Sequence, residues 1–198
     1  MASVGRPREP ELDERILRAT VEVLVERGLK GLRMDEVARV SGTPKSTIYR
    51  RWPSSRRLVV DAMAHAVGHV EPPQPGDPAE DLRGIAAQLS AVLASPTGAA
   101  LVQLGAELSD DPELSADYRA RLVDPNRDAA IDAVRRGQAA GVFRADADAE
   151  LAVDGAIGAL VYRALILRMP LDAALGQAVT RELFARLAPP AEAETSPG

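Results

Sequence analysis

Apolar residues recur along this 198-residue chain with a helical period almost from end to end. In residues 11–28, Leu12, Ile16, Ala19, Thr20, Val23 and Leu24 share one face, an i, i+4, i+7, i+8 spacing that predicts an amphipathic helix with Gly28 as its left-handed stop. After a tight turn, Met34, Val37 and Ala38 mark a short second helix. Asp35 and Glu36 open it, where the helix dipole favours negative charge, and Gly42 ends it. Thr43 is placed to cap a third helix with Pro44 at its first position, and Pro53 stops that helix after Trp52. Ser54 or Ser55 caps a fourth, with Leu58, Ala62, Met63 and Ala66 along one side.

Residues 71–78 hold four prolines in eight positions and break regular structure. Helical spacing then resumes. Asp77-Pro78 opens a helix to about residue 95, and residues 95–109 form another. Residues 111–141 form a pair interrupted near Pro125 and closed by Gly141. From Asp148 a helix of about twenty residues is apolar nearly all round and ends at Pro170; a last helix spans 171–187. The fold class is therefore all-α: a three-helix head over residues 11–57 behind an arm over 1–10, then a helical body over 58–187. Residues 58–70 connect the two, and 188–198 form a disordered tail.

Charge separates the two parts. The net charge is −5, yet residues 1–60 carry 13 Lys+Arg against 8 Asp+Glu, leaving the remainder at −10. A basic head on an acidic body points to a polyanionic partner for the head alone. Arginine outnumbers lysine 22 to 2, and cysteine is absent, which excludes disulfides and thiolate metal sites. No apolar run approaches about 18 residues and the N-terminus has no signal-peptide core, so the expected location is cytoplasmic, without a membrane partner.

The candidate chemistry lies in residues 37–57, which hold five arginines, one lysine and the only tryptophan. Two short helices around a Gly-containing turn make a helix-turn-helix pattern. In the third helix Ile48 and Trp52 form an i, i+4 anchor towards Leu24, Val37 and Leu58. Ser46, Thr47, Tyr49 and Arg50 face the other way, flanked by Lys45 and Arg51. A helix of that chemistry fits a major groove, while Arg33, Arg51, Arg56 and Arg57, with Thr43 at the helix start, meet the backbone. Arg6 and Arg8, around Pro7, suit an arm entering a minor groove. The competing reading is a helical hairpin whose arginines only solvate a surface.

These residues resemble the DNA-binding region of the TetR/AcrR family of bacterial transcription regulators. The resemblance rests on Gly28, Val37-Ala38, Gly42, Thr47, Tyr49, Trp52 in the aromatic position and Leu58, within roughly residues 12–65. Where family members commonly carry a lysine at the start of the fourth helix, Ser55 stands here, with Arg56 and Arg57 following. The resemblance implies a DNA-binding head on an all-helical body that dimerises and often holds a small-molecule pocket. It implies a repressor on a near-palindromic double-stranded operator, released by a small apolar or amphipathic ligand. Control by a partner protein, or by no ligand, stays open.

For the dimer, the helices near 148–169 and 171–187 are the expected contact, with Gly155, Ala156, Gly158 and Ala159 letting a second backbone approach. A pocket among residues 81–168 would use Leu101, Leu104, Tyr118 and Tyr162, with Gln103 as a polar contact; each of these residue types also suits plain core. His65 and His69 have metal-ligand spacing but no third ligand beyond Glu71, so no metal or cofactor is expected. No Gly-rich phosphate loop, HExxH or Cys/His nucleophile argues for an enzyme, and Asp110, Asp111, Asp146 and Asp148 sit where helix caps explain them.

Overall fold

The computed structural model describes residues 9–67, 76–108 and 110–190. The expected arm, His69, Glu71 and the tail beyond 190 lie outside these residues. All regular elements among the described residues are helical: α1 (Glu9–Gly31), α2 (Met34–Ser41), α3 (Lys45–Arg51), α4 (Ser55–Val67), α5 (Pro78–Leu93), α6 (Pro96–Glu107), α7 (Pro112–Tyr118), a π-helical turn (Arg119–Val123), α8 (Asp124–Ala139), α9 (Ala149–Leu165) and α10 (Ala173–Leu187). Polar residues ahead of the apolar runs start them. Asp77, Ser95, Asp111, Asp148 and Asp172 each accept a backbone N–H of the helix they open.

Two compact units result: residues 1–70 with 95–124, and residues 71–94 with 125–198. In the first, Ile16, Val23 and Leu24 of α1, Val37, Ile48, and Leu58 and Met63 of α4 lose all or nearly all contact with solvent. Leu101, Leu104, Leu108, Tyr118 and Leu122 complete the same core. In this unit α6 and α7 supply apolar faces to the core that the short helices share. Gly28 does break the helical course of α1, at φ 67° and ψ 172°, although helical bonding resumes to Gly31.

The second unit packs α5, α8, α9 and α10 around Leu82, Ile85, Ile131, Val134, Val153, Leu183 and Leu187. Phe143 and Phe184 meet edge to face at 5.8 Å, and the Arg83 guanidinium lies 4.7 Å above the Phe184 ring. Asp81, buried at the start of α5, accepts from Arg136 at 2.7 Å and from the Gly76 N–H at 3.1 Å. The Arg136 bond, then the Gly76 bond, hold its carboxyl below the usual carboxylate range.

Two expectations need correction. The interruption near Pro125 is a π-helical turn; Pro125 has no N–H for the Arg121 carbonyl, and the wider turn sits immediately upstream. The helix begun at Asp148 releases at Leu165 rather than at Pro170, with Arg168 at φ 56° in the segment between. No single helix among the described residues is long and apolar enough to cross a membrane.

Candidate nucleic-acid interface

The α2–α3 turn is built from backbone. Gly42 sits at φ 62° and ψ 26°, and the Thr43 N–H bonds back to the Ala38 carbonyl at 3.1 Å, closing α2 with a Schellman-type bond. Thr43 is not the cap of α3. Pro44 occupies that place with no side-chain bond, while Thr43 is 3 % exposed and its hydroxyl donates to the Ser41 carbonyl. The turn folds the threonine inward, so its side chain faces the head's interior.

Seven residues are too few for a helix to hold its shape alone. Tertiary contacts fix α3 instead: Ile48 is fully buried, Trp52 nearly so, and the indole N–H donates to Asp61 Oδ2 at 2.8 Å. With about 100° between successive residues, Lys45, Ser46, Tyr49 and Arg50 then form one strip on the far side. All four are exposed, Tyr49 to 46 %, and Thr47 at the edge is half-buried. Chemically the strip offers hydroxyls, a phenol ring and cations on a rod of groove-filling width.

Most of the predicted cations already have carboxylate or carbonyl partners. Lys45 Nζ lies 2.7 Å from Asp35, whose hydrogen bond raises the ammonium pKa. Arg33 donates to the Lys30 and Leu32 carbonyls at the end of α1. Arg56 pairs with Asp110 at 3.2 Å, and Arg57 with Asp117 at 3.4 Å and Asp61 at 3.7 Å. Such exposed pairs are worth ~0–1 kcal/mol, so phosphate can displace them. Arg50 makes no ion pair with any described residue. Arg51 differs again: its side chain is 18 % exposed and clasps Asp13 of α1 at 2.6 Å. It follows Ile48 by three residues, an i, i+3 relation that places it towards the inward face. Asp13 and Asp61, which tether α3, carry no local pattern that would reveal them. Ser54, the expected cap of α4, accepts from the Arg57 N–H at 3.1 Å.

Three of the five residues expected around a ligand are buried. Leu101, Leu104 and Tyr118 fill the core of the first unit, and the Tyr118 hydroxyl donates to the Leu101 carbonyl at 3.0 Å. Burial pushes that phenol up to about 12. Gln103 is exposed, and Tyr162 belongs to the second unit with 53 % exposure. Apolar spacing identified buried positions but not which core they enter. The second unit has a narrow crevice of about 40 Å³, walled by Leu82, Ile85, Leu89, Val153, Ile157 and Leu183 with Asn126 at its edge. On the outer side of α9, Leu151, Gly155, Gly158, Ala159, Tyr162 and Ile166 form an exposed stripe. His65 is exposed on α4, and no cluster of metal-ligating side chains occurs among the described residues.

Comparison with known proteins matches these features. Residues 16–62 fit the model of bacterial regulatory proteins of the tetR family, and residues 72–183 fit the tetracyclin repressor-like C-terminal domain. The chain belongs to the TetR family of bacterial transcription regulators. It is similar to the HTH-type regulator YdeS of Bacillus subtilis, 29% identical over 163 residues and covering 82% of each chain. It is 30% identical over 150 residues to the HTH-type regulator AqdR of Rhodococcus erythropolis, covering 75% of this chain and 72% of AqdR. The TetR-family regulator SCO0332 superposes with a TM-score of 0.64 at 33% identity, over 90% of this chain and 100% of that one. FadR of Bacillus subtilis, solved in complex with stearoyl-CoA, shares the fold with a TM-score of 0.70 at 18% identity, over 87% and 98% of the two chains. As a TetR-family protein the chain is a DNA-binding transcription regulator.

Proposed function

We propose that this regulator is a cytoplasmic homodimeric repressor that binds a near-palindromic double-stranded operator and leaves it when a small ligand enters the body. Residues 11–57 read the DNA. Ser46, Thr47, Tyr49 and Arg50 face the major groove with Lys45, while Arg33, Arg56 and Arg57 exchange their present partners for phosphate. The exposed polar strip on α3, fixed from behind by Ile48 and Trp52, carries this reading.

The open apolar stripe of α9 supports the dimer, since Gly158 leaves room for a second backbone and Leu151, Tyr162 and Ile166 gain from burial. A two-fold dimer presents two recognition helices to half-sites about one duplex turn apart, roughly 34 Å, or somewhat more. The apolar walls Leu82, Ile85, Leu89, Val153, Ile157 and Leu183 favour an apolar or amphipathic molecule, which has to part them to enter, and stearoyl-CoA bound to FadR is a precedent for such a ligand on this fold. A coupling of about 1–3 kcal/mol between ligand and operator changes affinity by roughly 5–150-fold, enough for release.

Selection of bound fragments from random duplexes, followed by footprinting, tests the reading. Inverted half-sites protected by one dimer are expected. A single asymmetric site, or no enrichment at low ionic strength, overturns it.

A further inference from the structure

The head contains a carboxylate that a phosphate-binding surface would do better without. Asp13, on the first turns of α1, accepts a hydrogen bond from Arg51 Nη1 on Oδ2 at 2.7 Å, across 38 residues of sequence, with Oδ1 in ion-pair contact with the same nitrogen at 2.6 Å. Arg51 is the last residue of the recognition helix, and its side chain is far less exposed than that of its neighbour Arg50. The next residue, Trp52, is tied to Asp61 of α4. The C-terminal end of a seven-residue helix is thus held between α1 and α4 by two hydrogen-bonded carboxylates, with Ile48 as the only fully buried side chain of α3.

We infer that Arg51 is a positioning residue that latches the recognition helix to α1 through Asp13, and that it contacts no DNA. An apolar anchor such as Ile48 fixes the depth of a helix but leaves rotation about its axis and tilt soft. A charge-assisted hydrogen bond at one end, directional by nature, resists both. Operator preference depends on side chains meeting base edges within fractions of an ångström, whereas phosphate attraction tolerates tilt. The latch therefore acts on discrimination between sequences and leaves the charge-driven part of binding unchanged.

The two roles for Arg51 predict opposite signs for its partner. The test uses full-length protein and a duplex selected by the wild type, beside a random duplex of equal length, titrated at several salt concentrations. Asp13→Asn removes a negative charge; if Arg51 met phosphate, freeing it would tighten both duplexes. The latch predicts instead about a tenfold or greater loss on the selected duplex, with the random duplex held as well or slightly better. Arg51→Gln gives the same selective loss with the salt slope unchanged, and the double variant is within about twofold of either single one. Tightening of both duplexes by Asp13→Asn, a slope lowered by about one in Arg51→Gln, or unchanged preference in both, overturns the inference. Should either variant fail to fold, the guanidinium signals of Arg51 in the unmutated protein decide. The latch keeps them in place and slow to exchange when the selected duplex is added; a shift on binding overturns it.

Discussion

Replacing Gly42 with alanine isolates one energetic component of the helix-turn-helix. The residue sits at φ 62° between α2 and α3, and a methyl group there would meet no atom within 4 Å. The cost is therefore backbone strain alone, about 1–2 kcal/mol for an L-residue in the left-handed region. Alanine also restricts the unfolded chain, which returns about 0.4–1 kcal/mol and leaves a net destabilisation of about 1 kcal/mol. Asparagine tolerates this conformation and costs less. Trp52, the only tryptophan, is 7 % exposed inside the head and reports its unfolding by fluorescence. Urea titrations of wild type, Gly42→Ala and Gly42→Asn should give midpoints in the order wild type, Asn, Ala, with the slope unchanged. A loss above about 3 kcal/mol for alanine would mean a collision that the open space denies. No loss at all would mean the turn is not left-handed.

Other perturbations address the body and the interface. Gly137→Ala places a methyl 2.1 Å from Phe143 Cδ2, so the ring must leave its contact with Phe184. Thermal unfolding should show a loss of about 1–3 kcal/mol although alanine is the better helix former, and a stabilised variant would refute the packing. Asp81 has a lowered pKa in the folded state, so its contribution is complete above the ordinary carboxylate pKa and disappears as pH falls through the folded value. The melting-temperature gap between wild type and Asp81→Asn should accordingly be constant near neutrality and close below about pH 4; a gap indifferent to pH would contradict the pair. Gly158→Trp puts bulk on the open stripe of α9, where an added Cβ meets no atom within 4 Å. Sedimentation should find a folded monomer, and an intact dimer would move the interface elsewhere.

What the sequence made legible follows from range. Caps and stops act within four residues, so Asp77, Asp111, Asp148, Gly42 and Gly141 announced their helix ends. The anchor of Ile48 and Trp52 against Leu24, Val37 and Leu58 was also readable, because each apolar stripe has only one core to face in a head so small. Pairings across tens of residues were not. Arg51 with Asp13, Arg56 with Asp110 and Arg57 with Asp117 join segments that only the tertiary fold brings together. Of the expected ligand residues, Leu101 and Tyr118 are buried as their spacing implies, in the core beneath α4. Thr43 misled for a local reason, since Pro44 already meets the backbone requirement of the cap and leaves the hydroxyl to turn inward.

The central claim is that the outward strip of α3 reads duplex DNA. Fluorescence-anisotropy titration of a wild-type-selected duplex with Tyr49→Ala, whose fold and dimer are first verified, tests it most directly. Affinity for that duplex should fall at least about tenfold, to the level of a random duplex. Equal affinity of wild type and variant for the selected duplex would contradict the account.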